Sequence, residues 1–268
     1  MRCLLLLLLA LPLDGAFFVQ LSDPQFGMYA NDANFVQETA NFEFVVANLN
    51  RLRPEFVVVC GDLVNKAGDA AQIAEYRRIA SKLDQSIPLY NVAGNHDVGN
   101  VPTPESLAAY RHTFGPDYYT FERGELWGLV LDSSLIQHPE KAPEEAARQD
   151  AWIAAELAKL AGKHVVVFQH IPWFLEREDE ADQYFNIPAA ARAKYLALFR
   201  RYGVQQVFAG HYHRNALGEA PGVEIVTTGP VSKPIGPDAS GIRVVTLGAG
   251  KLASEYYGLG RIPSSLGK

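Results

Sequence analysis

The chain has 268 residues, 48% of them hydrophobic and 20% charged, and 24 basic against 30 acidic residues give a formal net charge of −6. This is the composition of a globular protein, and it excludes a disordered chain, a collagen, a coiled coil and a multi-span membrane protein. Two cysteines, Cys3 and Cys60, are too few for a disulfide framework or a cysteine zinc site. The acidic balance argues against a protein that coats long nucleic acid.

The first residues have the pattern of an export signal. Arg2 precedes an apolar run that includes six consecutive leucines, Leu4 to Leu9. A positive start followed by roughly 7–15 apolar residues describes a secretory signal peptide, and the run is too short to span a bilayer comfortably. We therefore expect residues 1–16 to be removed, and the mature protein to be secreted or periplasmic without a membrane span. If the leader is retained, as the lead-in to a buried first strand, a cytoplasmic protein is expected.

After the leader, runs typical of strands alternate with runs typical of helices. The predicted strands are 17–21, 55–60, 88–92, 118–121, 126–131, 164–168, 204–208, 223–228, 242–247 and 254–257. The predicted helices are 34–52, 70–83, one that Thr103 opens as N-cap, 143–160, and 189–202 with Gly203 as its stop.

This alternation implies βαβ units and a mainly parallel sheet with helices on its faces. The last third of the chain is rich in strands, which fits a second sheet packed on the first. The sequence therefore predicts an α/β fold, a four-layer α/β/β/α sandwich with mixed sheets and helices on the outer faces. We expect one domain over residues 17–260 and a tail over residues 261–268.

Five of the predicted strands end in side chains typical of metal ligands. The clusters are Asp23 with Gln25, Asp62, Asn95 with His96, His170, and His211 with His213. Because ligand sites in open α/β sheets form outside the carboxyl ends of strands, we expect these clusters to converge on one edge of the sheet. Carboxylate, amide and imidazole groups without thiolates suit Mn, Fe, Zn, Mg or Co. About seven ligands suit two divalent ions roughly 3.5–4 Å apart, an arrangement that clamps a phosphoryl group.

The order of these motifs resembles the calcineurin-like metallophosphoesterase superfamily. Asp-Pro-Gln, Gly-Asp-Leu-Val-Asn, Gly-Asn-His-Asp, Gln-His and Gly-His-Tyr-His follow one another between Asp23 and His213. The first motif departs from the usual Asp-x-His, since Gln25 stands at its third position. The longer segments around these motifs are similar to the calcineurin-like phosphoesterase domain-containing protein subgroup, whose described activity is protein serine/threonine phosphatase. The resemblance extends from about residue 17 to residue 257.

The resemblance implies a role for each motif residue. The first metal would be held by Asp23, Gln25 and His213, the second by Asn95, His170 and His211, and Asp62 would bridge both. His96 would be the catalytic residue that gives a proton to the leaving alkoxide, and Asn95 and His96 would contact the phosphate. Asn65 stands where the family often has an Asp that orients this histidine.

Three features of the sequence are each compatible with more than one role. Gln25 binds a metal directly, binds it through water, or only forms a hydrogen bond. Arg214 contacts substrate phosphate or has a structural role. The aromatic and acidic segment 173–185 forms a lid that shapes substrate choice, or it is a solvated loop with some aromatic packing.

Together these features predict a phosphoester hydrolase that depends on two divalent metal ions. We expect a phosphomonoesterase for a phosphorylated small molecule or phosphoprotein, and more specifically a protein serine/threonine phosphatase. One alternative is a phosphodiesterase for a cyclic nucleotide, nucleic acid or lipid headgroup. Another is a non-catalytic metal- or phosphate-binding domain, against which the presence of both Asp62 and His96 argues.

Overall fold

The computed structural model describes residues 16–248 and 251–266, and its strands form two sheets. The strands are β1 (Phe17–Leu21), β2 (Val57–Cys60), β3 (Leu89–Val92), β4 (Tyr119–Arg123), β5 (Leu126–Val130), β6 (His164–Phe168), β7 (Gln206–Ala209), β8 (Ala216–Ala220), β9 (Val223–Thr227), β10 (Gly241–Gly248) and β11 (Lys251–Gly258). The helices are α1 (Val36–Leu52), α2 (Ala70–Ala80), α3 (Asn95–Val98), α4 (Pro104–Phe114), α5 (Ser133–Gln137), α6 (Pro143–Lys159) and α7 (Ala189–Tyr202), with a 3₁₀ turn at Leu259–Arg261.

Both sheets are mixed: in the first, β1, β2 and β3 are parallel while β10 and β11 pair antiparallel, and in the second, a parallel centre has an antiparallel strand at each edge. The five-stranded sheet has the order β11-β10-β1-β2-β3, and the six-stranded sheet has the order β4-β5-β6-β7-β9-β8. The sequence suggested that the strands of the last third form the second sheet, but the structure divides them between the two sheets. Strands β7, β8 and β9 join the six-stranded sheet, whereas β10 returns to pair with β1, where Phe18 lies opposite Val245. This return lets β10 bury both of its faces, with Val244 toward the helices and Val245 between the sheets.

The alternation of side chains along the strands builds four layers. In β2, Val57 and Val59 pack in the cluster that includes α1 and α2, while Val58 and Cys60 pack between the sheets. In β6, Val165 and Val167 face the cluster with α6 and α7, while Val166 and Phe168 join the layer between the sheets. The predicted four-layer α/β/β/α sandwich is therefore confirmed.

Aromatic rings fix the two sheets against each other. Phe18 of β1 stacks on Phe56 with ring centroids 4.6 Å apart, and it meets Phe168 of the other sheet edge-on at 5.7 Å. Offset and edge-on aromatic contacts add about 0.5–1.5 kcal/mol each beyond the burial of their area. This packing holds the carboxyl ends of β1, β2, β6 and β7 in a fixed relation, and these ends carry the candidate ligands.

The predicted helix signals occur where the sequence placed them. The Oγ1 of Thr103 accepts a hydrogen bond from the N–H of Ser106 at 3.2 Å, with Pro104 in the first turn of α4. Helix α7 ends at Tyr202, and Gly203 follows it in the left-handed conformation with φ 75°. Both ends therefore obey local capping chemistry.

The structure near the two ends of the chain can be compared with the predicted leader and the predicted tail. The predicted leader, apart from Ala16, lies outside the described residues, and β1 begins directly after it at Phe17. Among the described residues, no helix has the length and apolar character that a membrane crossing needs. Near the other end, Ile262 and Leu266 pack against the core, and Arg51 of α1 donates a hydrogen bond to the carbonyl of Pro263 at 2.9 Å.

Candidate metal centre

The carboxyl ends of both sheets meet and bring the predicted ligands together. Asp23, Asp62 and Asn95 follow β1, β2 and β3 of one sheet, and the histidines follow β6 and β7 of the other. The ligand atoms of Asp62, His170 and His211 lie within 4.8 Å of one another, as do those of Asp23, Asp62 and His213. Asp62 belongs to both groups. The prediction placed the clusters on one edge of one sheet, and the structure instead shows two sheet edges that share them.

All seven predicted ligands are at most 4% exposed. They are Asp23, Gln25, Asp62, Asn95, His170, His211 and His213. Burial of two carboxylates and three imidazoles in one place is unfavourable unless their charges and lone pairs are compensated.

Five of these residues lie in the left-handed backbone region, which residues other than glycine rarely adopt. The φ angles are 48° at Asp23, 36° at Gln25, 50° at Asp62, 68° at His211 and 53° at His213. Such conformations cost on the order of 1–3 kcal/mol each and persist only where the surroundings enforce them. Here the turns after the strands interlock, since the N–H of Gln25 donates to the carbonyl of Asp62 at 2.8 Å.

The motif glycines make room for the carboxylates. A Cβ atom on Gly94 would lie 2.1 Å from the backbone nitrogen of Asp62 and 2.2 Å from its Oδ1. A Cβ atom on Gly210 would lie 2.8 Å from the Oδ2 of Asp23. A larger residue at either position would displace a candidate ligand.

Backbone carbonyls orient the three histidines. The Nδ1 of His170 donates to the carbonyl of Cys60 at 2.8 Å, and the Nδ1 of His213 donates to the carbonyl of Lys233 at 2.7 Å. Their Nε2 atoms therefore present lone pairs to the centre, as metal-binding histidines require. His211 has the opposite orientation, because its Nε2 donates to the carbonyl of Tyr184 at 3.0 Å and leaves Nδ1 for a ligand.

The charges in the centre are strongly coupled. Burial raises the pKa of Asp62, but His170, His96 and His211 outweigh it and hold that pKa well below its usual range. Burial opposes protonation of His170, yet Asp62 and Asp23 raise the pKa of His170 to about 9. Burial and the neighbouring His170 lower the pKa of His211 to about 4. The carboxylates are therefore ionised, and the proton on His170 supplies part of the positive charge that bound cations would supply.

Unpartnered oxygen atoms test whether metals fit this centre. Within the described part of the chain, Asp23 Oδ1 and Gln25 Oε1 are buried and accept no hydrogen bond. A buried oxygen without a partner costs about 1–3 kcal/mol, and a bound cation would satisfy these two atoms. Asn95 Oδ1 has a partner, the Nε2 of His170 at 2.9 Å, and a cation would take the place of the proton between them. The donor set therefore fits two divalent ions.

His96 lies beside the carboxylate of Asp62. Its backbone N–H donates to Asp62 Oδ1 at 2.9 Å, and its ring Nδ1 donates to the carbonyl of Asn65 at 2.7 Å. Asn65 orients this ring through its main-chain carbonyl, because its side chain is turned to Gln25 and Asp32. The main-chain carbonyl orients the ring and leaves Nε2 free for proton transfer.

The aromatic and acidic segment divides into two parts. Trp173 and Phe174 are fully buried in the core beside α6 and α7, so they do not form a lid. Tyr184 is 52% exposed, and its hydroxyl lies 3.2 Å from the Nδ2 of Asn95. The ring of Phe185 lies 5.6 Å from that of His211. Tyr184 and Phe185 form a site wall beside the second group of ligands.

The site wall is held rigidly. Arg192 of α7 is 1% exposed and donates to the carbonyls of Glu178 at 2.6 Å and Glu180 at 2.9 Å. Asn186 donates to the carboxylate of Glu180 at 2.7 Å, and its own oxygen accepts from the N–H of Gln183 at 3.0 Å. The acidic run is thus part of a loop that hydrogen bonds hold in place, although Glu176, Arg177 and Asp179 are exposed to solvent.

Arg214 lies one residue after His213, at the surface of the site. Its Nε donates to the carbonyl of Ile235 at 3.2 Å, and its guanidinium lies 5.2 Å from the ring centre of Tyr212. These contacts give the side chain a structural role in this conformation, and its contact with phosphate stays a prediction.

Two supporting residues were not identified from the sequence. Asp97 holds the Asp62 turn, since its carboxylate accepts from the N–H groups of Leu63 at 2.9 Å and Gly94 at 2.8 Å. The Oγ of Ser133 accepts from the N–H of Ile171 at 2.8 Å. Asp97 is the last residue of the Gly-Asn-His-Asp motif, and Ser133 follows the parallel strand β5. Both positions could therefore have been recognised from the sequence as lying near the site.

The chain belongs to the calcineurin-like phosphoesterase family, whose sequence model matches residues 18–215. It is therefore a hydrolase of phosphoesters of the dimetal type. The bovine protein named serine/threonine-protein phosphatase CPPED1 is 38% identical over 262 residues, covering 91% of this chain and 83% of the relative. The human protein of the same name is 37% identical with the same coverage.

Solved structures show the same fold. A dimetal phosphatase from Danio rerio superimposes with a TM-score of 0.68 at 16% identity, covering 92% of this chain and 97% of the other. A purple acid phosphatase from yellow lupin gives a TM-score of 0.63 at 15% identity, over 91% of this chain and 52% of the other. At such identities the likeness concerns the fold.

Proposed function

We propose that the protein is a phosphomonoesterase that removes phosphate from serine and threonine in proteins, with two divalent ions as cofactors. The observation that carries this proposal is that Asp62 belongs to both groups of candidate ligands. A carboxylate shared in this way suits a bridge between two cations. The names of the bovine and human relatives support the substrate class.

The ligand sets follow from the two groups. Asp23, Asp62 and His213, with the oxygen of Gln25, would hold the first ion. Asp62, Asn95, His170 and His211 would hold the second. When bound, two divalent ions supply the positive charge that polarises the phosphoryl group and activates a water as nucleophile.

The chain itself supplies proton donors around the phosphate. Because the carbonyl of Asn65 accepts from the Nδ1 of His96, the protonated ring presents its Nε2–H to the leaving oxygen. A positioned acid of this kind contributes about 10²–10⁴-fold in rate. At the site wall, the hydroxyl of Tyr184 and the Nδ2 of Asn95 lie 3.2 Å apart and offer donors to phosphate oxygens.

The exposure of the site favours a macromolecular substrate. The ligands are buried, but His96 is partly exposed and Tyr184 is half exposed. A phosphoryl group can therefore enter while the rest of the substrate stays outside. This arrangement supports a phosphorylated side chain on a protein surface.

A substrate panel tests the proposal. Purified protein loaded with Mn²⁺ is assayed on a phosphothreonine peptide, a phosphoserine peptide, p-nitrophenyl phosphate, bis-p-nitrophenyl phosphate and a cyclic nucleotide. We expect the phosphopeptides and the aryl monoester to be hydrolysed faster than either diester. Faster cleavage of a diester would identify a phosphodiesterase, and metal binding without hydrolysis of any ester would identify a non-catalytic domain.

We also propose that residues 1–16 are an export signal. The basic residue and six leucines support this proposal, as does the start of β1 at Phe17. Strand β1 lies inside its sheet between β10 and β2, and cleavage before Phe17 would leave the strand whole while removing one hydrogen bond, from the N–H of Leu247 to the carbonyl of Ala16 at 3.0 Å. N-terminal sequencing of the native protein should give a start near Phe17, and retention of Met1 would contradict export by cleavage.

A further inference from the structure

We propose that Asp32 is a positioning residue that fixes the orientation of the Gln25 amide, so that the oxygen of Gln25 and not its nitrogen faces the first metal. This inference rests on the proposed two-ion centre and concerns how an amide serves in it. Asp32 acts through a relay of two side-chain amides, those of Asn65 and Gln25.

The need for such a relay follows from the chemistry of an amide. The two ends of a glutamine side chain have nearly the same size, but only the oxygen has a lone pair for a cation. The nitrogen end would present hydrogens to a positive ion and repel it. A glutamine ligand that rotates by half a turn is therefore no ligand, and its orientation must come from hydrogen bonds.

The relay gives Gln25 that orientation. Gln25 is 2% exposed, and its Nε2 donates to the Oδ1 of Asn65 at 3.2 Å. The Nδ2 of Asn65 donates in turn to the Oδ1 of Asp32 at 2.8 Å. An ionised carboxylate only accepts hydrogen bonds, so Asp32 requires the nitrogen of Asn65 on its side. The oxygen of Asn65 then faces Gln25, and the oxygen of Gln25 faces the centre.

A second amide holds Asp32 in this place. The Oε1 of Gln72 accepts from the backbone N–H groups of Asn65 at 3.1 Å and Lys66 at 2.9 Å. Because backbone donors fix that oxygen, the Nε2 of Gln72 points to Asp32 Oδ1 and donates to it at 2.7 Å. One oxygen of Asp32 therefore receives two amide donors.

The backbone of Gly27 makes the relay possible. A Cβ atom on Gly27 would lie 2.6 Å from both Asp32 Oδ1 and Gln72 Nε2, and its φ of 113° disfavours any other residue. Gly27 lies two residues after Gln25, in the same turn. The turn that contains Gln25 therefore also contains the glycine that leaves room for Asp32.

A titration of metal-free protein with Mn²⁺ by calorimetry tests the relay without measuring catalysis. The binding step that is lost in His213→Ala identifies the first site. Asp32→Gly removes the acceptor and should weaken that step by about 10–100-fold, the usual effect of removing a group that orients a metal ligand. Residue 32 is exposed and has a φ of 66°, which glycine adopts readily, so the variant should fold, which its melting temperature checks. Asp32→Asn removes the charge but keeps an oxygen that accepts from Asn65 and Gln72, so it is the matched control and should change little.

The Asp32→Gly change in a Gln25→Glu background separates orientation from charge. A glutamate has two equivalent oxygens and accepts from the Nδ2 of Asn65, which turns the oxygen of Asn65 toward residue 32. The carboxylate of Asp32 repels that oxygen, whereas a glycine does not. We therefore expect Asp32→Gly to weaken Mn²⁺ binding when residue 25 is Gln, and to leave it unchanged or strengthen it when residue 25 is Glu.

The possible results are distinct. Weakening of equal size in both backgrounds, or in Asp32→Asn as well as in Asp32→Gly, would show a simple loss of negative charge and would overturn the relay. An unchanged first site in Asp32→Gly would overturn it as well. If the wild-type protein binds fewer than two Mn²⁺ ions, the proposed two-ion centre itself is contradicted, and the relay is rejected with it.

Discussion

The Oδ1 of Asp62 lies 3.3 Å from the Nε2 of His170, and this contact joins the end of β2 in one sheet to the end of β6 in the other. Both side chains are almost fully buried. A carboxylate and an imidazole nitrogen at this distance, with further ligands on each side, can hold either a proton or a cation between them. The relation of the two sheets therefore determines the geometry of the candidate centre.

Replacement of His96 by alanine tests the proton donor. The variant should keep its metals, because His96 is not among the proposed ligands, and should lose about 10²–10⁴-fold in rate on alkyl phosphates. The loss should be much smaller on p-nitrophenyl phosphate, whose leaving group needs little protonation. Steady-state rates on both esters, with metal analysis of the variant, give the comparison. Equal losses on the two esters would mean that His96 positions phosphate and does not protonate the leaving group.

Metal binding should depend on pH through His170. Asp62 and Asp23 outweigh burial and raise the pKa of His170 to about 9, so the metal-free protein holds a proton there at neutral pH. A metal takes the same lone pair and must release that proton. Apparent affinity should therefore rise by about tenfold per pH unit from pH 7 and level off above about pH 9. Calorimetry in buffers of different ionisation enthalpy should show at least one proton released per chain at pH 7, and no release would contradict the account.

Replacement of Gln25 by histidine should restore the commoner ligand of the family. Imidazole binds borderline metals more strongly than an amide oxygen, so the first site should bind Zn²⁺ or Mn²⁺ more tightly. The buried Oε1 without a partner marks the position that the new ring nitrogen would take. Metal titration after mild chelation compares the variant with the wild type. If both ions bind with the same affinities in the two proteins, Gln25 does not contact the metal directly.

Much of the architecture could be predicted because its signals are local. Thr103 before Pro104 and Gly203 after Tyr202 mark helix ends by capping chemistry, and these ends are confirmed. The ligand clusters could be predicted because they directly follow strands. The pairing of Phe18 with Val245 could not, since it joins residues more than 200 positions apart, and nothing local in β10 selects its sheet.

The supporting residues of the site were harder to predict for a different reason. The side chain of Asn65 and its carbonyl lie in one residue but serve different partners, Gln25 and His96, and only the turn geometry separates them. Trp173 and Tyr184 are both aromatic residues of one segment, yet the first is buried and the second half exposed. Burial of this kind depends on tertiary packing, which the composition of a segment does not reveal.

The most direct test of the account is the metal content of the wild-type protein and of Asp62→Asn, measured together with phosphoesterase activity. We expect two divalent ions per chain in the wild type. Because one carboxylate serves both groups, both ions and the hydrolysis should be lost together in Asp62→Asn. Wild-type occupancy of both sites together with a wild-type rate in that variant would contradict the central claim.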